Sequence, residues 1–208
     1  MTILEELKNA KNINEFAPLL NFKPKSLSYI LYIMPNTKKC YESFTIPKKD
    51  GSERKINSPN ERLKLVQRRL ANLLYDCYDE IIKNKKGTIG ISHGFKRKYS
   101  IFTNSRMHCR KKYVFDVDLK DFFPSINFGR VRGYFINDKN FQLNEKIATI
   151  IAQIACFENQ LPQGSPISPI ISNLIGNILD VKLLRLSKEV KCYYTRYADD
   201  LTFSTNKK

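Results

Sequence analysis

The sequence predicts an α+β fold, on three observations. Apolar residues recur at helical spacing in several long stretches, and β-prone runs come in pairs around turn residues. The two kinds of stretch also mix without the regular alternation of βαβ units, which argues against a doubly wound sheet.

Each element follows from its own residues. "ILEELKNA" and "PKSLSYILYI" read as short helices, the second with Pro24 and Ser26 as start signals and Pro35 as a stop. "CYESFTIPKKDGSERKIN" places two β-prone runs around Lys48, Lys49, Asp50 and Gly51, and an Asp-Gly turn between such runs predicts a hairpin. In "ERLKLVQRRLANLLYDCYDEII", Leu63, Val66, Leu70, Leu73, Leu74, Cys77 and Ile81 fall on one helical face, with Arg62, Arg68 and Arg69 on the remaining surface. "KNKKGTIGISHGFKRKYSIFTNS" is basic and rich in loop residues. "KKYVFDVDLKDFF" predicts a buried strand ending in acids, because Val114, Phe115 and Val117 are β-formers. "NEKIATIIAQIACF" predicts a helix capped by Asn144. After "LPQGSPISP" a long helix follows, with Ile170, Ile171, Leu174, Ile178 and Leu179 as its expected buried stripe. "KCYYTRYADDLTFS" predicts strand, two-residue polar turn and strand, with Asp199 and Asp200 at the tip.

Composition narrows the function. In 208 residues, 36 Lys and Arg against 20 Asp and Glu give a net charge of +16, an excess that favours a polyanionic partner such as nucleic acid. Cys40, Cys77, Cys109, Cys156 and Cys192 are scattered with no C-x-x-C pair, so neither a zinc site nor a disulfide framework is predicted. The first residues lack a basic segment followed by an apolar one, and "IATIIAQIACF" is too short to span a bilayer. A soluble cytoplasmic protein with reduced thiols and no membrane partner is expected.

Against that charge, Asp118 ends a hydrophobic strand while Asp199 and Asp200 stand at a hairpin tip. If the two elements are sheet neighbours, their carboxylates converge at one edge and repel unless cations neutralise them. Hard oxygen ligands without His or thiolate suit two Mg²⁺ ions, with Mn²⁺ as the alternative. Ions about 3.5–4 Å apart form the clamp used for in-line displacement at phosphorus. On this reading the basic surface holds a phosphate backbone and the acids hold the metals that act on it.

"FDVDLKDFFPSI", "LPQGSPISPIISNLI" and "YTRYADDLTFS", in that order, resemble three core palm motifs of reverse transcriptases. The resemblance is to the bacterial retron type. It extends from "GSERKINSP" through "SHGFKRKYSI" and covers most of Gly51 to Ser204; "NSRMH" is similar to the retron N-A-x-x-H element, with Ser105 in place of the alanine. It implies a right-hand polymerase architecture with an antiparallel palm sheet packed on helices. The divisions would be an N-terminal helical segment over 1–35, fingers over 36–112 and a palm over 113–208. Asp118 and Asp199 would ligate both metals, with the carbonyl of Leu119 as an extra ligand and Asp200 completing the acidic cluster. Tyr197 would lie near the primer terminus. Phe123 would be the aromatic gate that excludes a 2′-hydroxyl, and Phe122, on the opposite face of an extended strand, is the alternative. Gln163 and Gly164 would lie against the incoming nucleotide and template, and Arg54 and Lys55 would reach its triphosphate. Alternation would turn one of those two cations away. "KRKY" would touch backbone phosphate.

The implied activity is RNA-directed DNA synthesis. The implied partners are an RNA template, an RNA/DNA hybrid, dNTPs, a structured retron noncoding RNA and an effector protein in anti-phage defence. Reverse transcriptases of this type continue past "YADD" into a thumb and a V-T-G element. Neither is found before Lys208, so a fragment, or completion by another polypeptide, is expected. The alternatives are a group II intron or abortive-infection reverse transcriptase, or an RNA-binding remnant without turnover.

Overall fold

A computed structural model describes residues 1–37, 40–48, 51–83 and 91–207. In chain order its elements begin with α1 (Ile3–Asn9), α2 (Ile13–Leu19), α3 (Pro24–Ser28), a wider π turn (Tyr29–Ile33), α4 (Met34–Thr37), β1 (Tyr41–Pro47), β2 (Glu53–Pro59) and α5 (Glu61–Lys83). They continue with α6 (Ile101–His108), β3 (Tyr113–Asp118), α7 (Phe128–Asn137), α8 (Glu145–Ala155), α9 (Ser168–Glu189), β4 (Tyr193–Tyr197) and β5 (Asp200–Thr205). This is an α+β fold with antiparallel sheets. Two compact units emerge, one of Met1–Lys86 with Phe123–Ser168, the other of Gly87–Phe122 with Pro169–Lys208. Among the described residues no helix is long and apolar enough to cross a membrane.

In the first unit, Thr2 caps α1 in a reciprocal box with Glu5, and Asn12 accepts from the N–H groups of Asn14 and Glu15 at the start of α2. Pro24 occupies the first position of α3, where its missing N–H costs nothing. Pro35 was expected to stop this helix, but it lies within α4. The preceding π turn, closed by the Met34 N–H to the Tyr29 carbonyl, widens the helix and relieves the clash a proline ring makes with an ordinary preceding turn.

The α5 stripe is as read: Leu63, Val66, Leu70, Leu73, Leu74, Cys77 and Ile81 are all buried. They join Leu7, Phe16, Leu20, Leu27, Phe135, Phe141, Ile147 and Ile151 in the core. Arg62 and Arg68 are exposed. Arg69 instead donates to the carbonyls of Leu20 and Asn21 and stacks on Phe22 at 4.6 Å, closing the end of α2. Burial pushes the Cys77 and Cys156 thiols up to about 12, and none of the five cysteines is in a disulfide.

β1 and β2 pair antiparallel, Tyr41 opposite Pro59 and Pro47 opposite Glu53, as the hairpin reading expects. Of its turn residues, Lys49 and Asp50 lie outside the described residues; Gly51 has φ +82°.

The second unit is built on a three-stranded sheet in the order β3-β5-β4. Register puts Asp118 opposite Asp200, Asp116 opposite Thr202 and Tyr197 opposite Asp200. The period-two alternation therefore gathers Asp116, Asp118, Asp200 and Tyr197 on one face, with Thr195 and Ser204 further along it. Tyr194, Arg196, Leu201, Phe203, Phe115 and Val117 line the other. α6, which the loop reading of its residues missed, starts at a Ser100–Thr103 capping box. Its last residue, His108, bonds Thr195 Oγ1 and Ser204 Oγ at 2.7 Å each, stapling α6 to β4 and β5.

Two further expectations in this unit fail. β3 is a strand but not a buried one: Val114 is 52% and Phe115 65% exposed, because its close neighbour is β5 and no helix among the described residues packs on it as closely as α6 packs on β4. On α9, Ile170, Ile171 and Leu174 are buried, but Ile178 is 53% exposed and Leu179 half-buried. The inward face continues instead through Asn173, Gly176, Asp180 and Ser187, which keep helical spacing but are not apolar.

Candidate active site

In the second unit, Tyr197 and Asp200 are paired, so the β4–β5 connection is the two residues Ala198 and Asp199. Only Asp199 lies in the turn; Asp200, expected beside it at the tip, is the first residue of β5. Ala198 has φ 57°, a conformation that glycine reaches without cost and alanine does not. The turn is held from two sides. The Asp199 carbonyl accepts from the Leu119 N–H at 3.1 Å, and the Ala198 carbonyl accepts from Arg196 Nη1 at 2.8 Å. The first bond ties the residue after Asp118 to the residue before Asp200, so the sheet register and the turn fix the same end.

Asp118 and Asp200 are directly opposed like charges, an arrangement that disfavours the sheet unless something positive lies between them. The Asp200 carboxyl is raised above the ordinary carboxylate range, first by partial desolvation and then by the charges of Asp199, Asp118 and Asp116. Among the described residues no group of three or more His, Cys, Asp and Glu side chains stands close enough together to hold a metal ion by itself. An open set of hard oxygens suits Mg²⁺, which takes one or two carboxylates and completes its shell with water and substrate phosphates. Asp116 joins this face unannounced; the alternation in "FDVDL" carried the signal.

Phe122 and Phe123 lie in the turns after β3, not on a strand, so the alternation argument between them does not apply. Phe122 is a core residue, its ring 5.8 Å from the Arg196 guanidinium carbon, while Phe123 is half-buried.

The first unit brings the remaining candidates together. The Asn57 N–H donates to the Gln163 carbonyl at 2.7 Å, fastening the "LPQG" segment to β2, the strand that carries Arg54 and Lys55. Gly164 has φ +107°, and a Cβ there would lie 2.8 Å from Ile56 Cγ2 and 3.1 Å from the Asn57 carbonyl oxygen. Gln163 keeps a buried side-chain oxygen with no hydrogen-bond partner among the described residues. Arg54 and Lys55 are both exposed, and Lys55 pairs with Glu158 at 3.2 Å.

Behind this segment, Gln67 donates to Tyr41 Oη at 2.8 Å and the Ile154 carbonyl at 2.9 Å, and accepts from Ser165 Oγ at 2.7 Å. Sequence reasoning missed Gln67; a Gln inside the apolar stripe of α5 was the available sign. In the "KRKY" stretch, Lys96 sits over the Tyr99 ring at 4.1 Å.

The family model for reverse transcriptase (RNA-dependent DNA polymerase) matches residues 46–208. The chain belongs to that family, whose chemistry uses divalent metal ions, RNA templates and dNTPs. Its similar proteins include the retron Mx162 reverse transcriptase of Myxococcus xanthus, 37% identical over 185 residues, or 80% of this chain and 36% of that one. The retron Ec86 reverse transcriptase of Escherichia coli is 30% identical over 195 residues, covering 93% and 57%. The retron Ec73 reverse transcriptase of Escherichia coli is 34% identical over 183 residues, covering 80% and 54%. The resemblance to the bacterial retron type is upheld, and the chain spans 36–57% of the length of these relatives.

Proposed function

We propose that this chain carries the catalytic core of a retron-type RNA-directed DNA polymerase, which copies a structured noncoding RNA into DNA in the cytoplasm. The observation that carries the reading is the placement of Asp118 opposite Asp200 with Asp199 in the adjoining turn, in a chain that matches the family over residues 46–208. Two Mg²⁺ ions, or Mn²⁺, when bound there supply the positive charge that acidifies a 3′-hydroxyl and steadies the leaving pyrophosphate.

Asp118 and Asp199 are the ligands, with the Leu119 carbonyl beside them and Asp200 completing the negative field. Tyr197, on the face of the carboxylates, positions the primer terminus. Gln163 and Gly164 lie against the incoming nucleotide, and the unpartnered Gln163 oxygen supplies an acceptor. Arg54 and Lys55 meet the triphosphate, and Lys55 exchanges Glu158 for phosphate when it does. Phe123 excludes the 2′-hydroxyl. The division into an N-terminal segment, fingers and palm at residues 1–35, 36–112 and 113–208 belongs to the same reading, as does a defence role alongside an effector protein.

Primer extension on an RNA template with Mg²⁺ tests the proposal, with Asp199→Asn as the paired variant. Incorporation of dNTPs by the parent and its loss in the variant, with RNA affinity unchanged, is the expected outcome. Salt-sensitive RNA binding without incorporation would instead make the chain a binding module.

A further inference from the structure

The geometry points to Arg196 as a positioning residue: its buried guanidinium sets the path of the Ala198–Asp199 turn and through it the metal affinity of Asp199. This deepens the polymerase reading and rests on it. Arg196 is 0% exposed and Asp180 1%. A core ion pair alone would need only the two bonds between them, Nε to Oδ1 and Nη2 to Oδ2, each 2.8 Å. The guanidinium does more. Nη1 donates both to the Ala198 carbonyl at 2.8 Å and to Asn173 Oδ1 at 3.1 Å, so one rigid plane joins α9 to the turn.

Every partner of that plane is itself held. Asp180 also accepts from Tyr194 Oη at 2.8 Å. Asn173 accepts from Ser92 Oγ at 2.9 Å and donates to the Gly94 carbonyl at 2.7 Å. The Arg196 main chain is bonded on both sides to the 91–93 segment, its N–H to the Ile91 carbonyl at 2.9 Å and its carbonyl from the His93 N–H at 2.8 Å. Gly176 makes room for the guanidinium: a Cβ there would stand 2.9 Å from Nη2. The polar inward face of α9 is thereby explained, since Asn173, Gly176 and Asp180 are the surface on which Arg196 rests.

The consequence falls on Ala198. Its φ of 57° is unfavourable for a residue with a Cβ, and strained backbone persists only where its surroundings hold it. The Arg196 bond to its carbonyl and the Leu119 bond to the next one hold it, with the Gly94 backbone packed against its N–H side. Asp199 therefore owes its orientation to a residue three positions earlier that cannot itself touch an ion.

The test uses Arg196→Lys in the full chain, because a lysine keeps the charge opposite Asp180 but cannot make the four-bond fork. Mn²⁺ binding is read by the loss of the free-ion EPR signal, alongside melting temperature, for the parent, Arg196→Lys and Asp199→Asn. Loss of a positioning partner should weaken Mn²⁺ affinity about 10–100-fold, approaching Asp199→Asn, in protein that remains folded. Affinity within twofold of the parent in folded Arg196→Lys, with only the melting temperature lowered, would reduce Arg196 to a core ion pair and overturn the inference. If Arg196→Lys does not fold, Gly176→Ala, whose Cβ would stand 2.9 Å from Nη2 and push the guanidinium off the Ala198 carbonyl, is judged by the same criterion. A parent whose Mn²⁺ binding equals that of Asp199→Asn would take down the metal-site reading itself, a pattern distinct from failure of the inference alone.

Discussion

Replacing Gly164 with alanine separates close packing from backbone conformation at the proposed nucleotide loop. The glycine sits at φ +107°, and the new Cβ would come 2.8 Å from Ile56 Cγ2 and 3.1 Å from the Asn57 carbonyl oxygen. Sparsely populated backbone costs about 1–3 kcal/mol for a residue with a side chain. Relief of the contact requires the loop to lift from β2, which stretches the 2.7 Å Asn57–Gln163 bond and adds about 1 kcal/mol. Together these predict a loss of about 3 kcal/mol, or a melting temperature lower by about 6–12 °C for a chain of this size. Gly51→Ala is the control, because Gly51 has φ +82° but, among the described residues, nothing within 4 Å of its would-be Cβ. It should show the backbone cost alone, about 2 kcal/mol. Thermal melts of both variants, with dNTP KM measured by extension, are the assay. A Gly164→Ala protein as stable as Gly51→Ala, with unchanged KM, would refute the claim that β2 fixes this loop.

Two further substitutions probe the second unit. Burial lowers the His108 pKa below 6.5, so the folded state binds fewer protons than the unfolded chain; the stability His108 provides is present above pH 6.5 and is lost as pH falls below it. Melting temperature should drop between pH 7.5 and pH 5.5, and His108→Gln should flatten that part of the profile; an identical slope in the variant would exclude His108 as its source. Asp200→Asn removes the opposed charge facing Asp118 and should raise the metal-free melting temperature by about 1–3 °C while weakening Mn²⁺ binding. A lowered metal-free melting temperature would show that the Asp118–Asp200 pair does not repel.

The legible parts were those in which local pattern and tertiary environment agree. α5 showed its buried face because its partners are apolar along its length, and α8 its start because Asn144 accepts from the Lys146 N–H. Both hairpins followed from β-prone runs about turn residues. Misreadings came where the environment departs from that rule. The β-formers of β3 specify extended backbone, not cover, and no helix among the described residues packs on β3 as closely as α6 packs on β4. Hydropathy predicted Ile178 inside α9, but the strand behind the helix presents a buried arginine, so asparagine, glycine and aspartate take the inward positions. Asp118, Asp199 and Asp200 were visible as residues; that Ala198 takes the strained turn position, and that Arg196 holds it, depends on contacts among segments far apart in sequence.

If the end of β3 and the β4–β5 turn hold the same metal ions, iron-mediated cleavage will mark both segments. Fe²⁺ in place of Mg²⁺, with ascorbate and peroxide, generates hydroxyl radicals that cut the backbone near the bound ion. A shared site gives cuts at both Asp118–Leu119 and Tyr197–Asp200, competed by Mg²⁺ and lost together in Asp199→Asn. Cleavage at one segment without the other, or cuts that survive Asp199→Asn, would contradict a shared site.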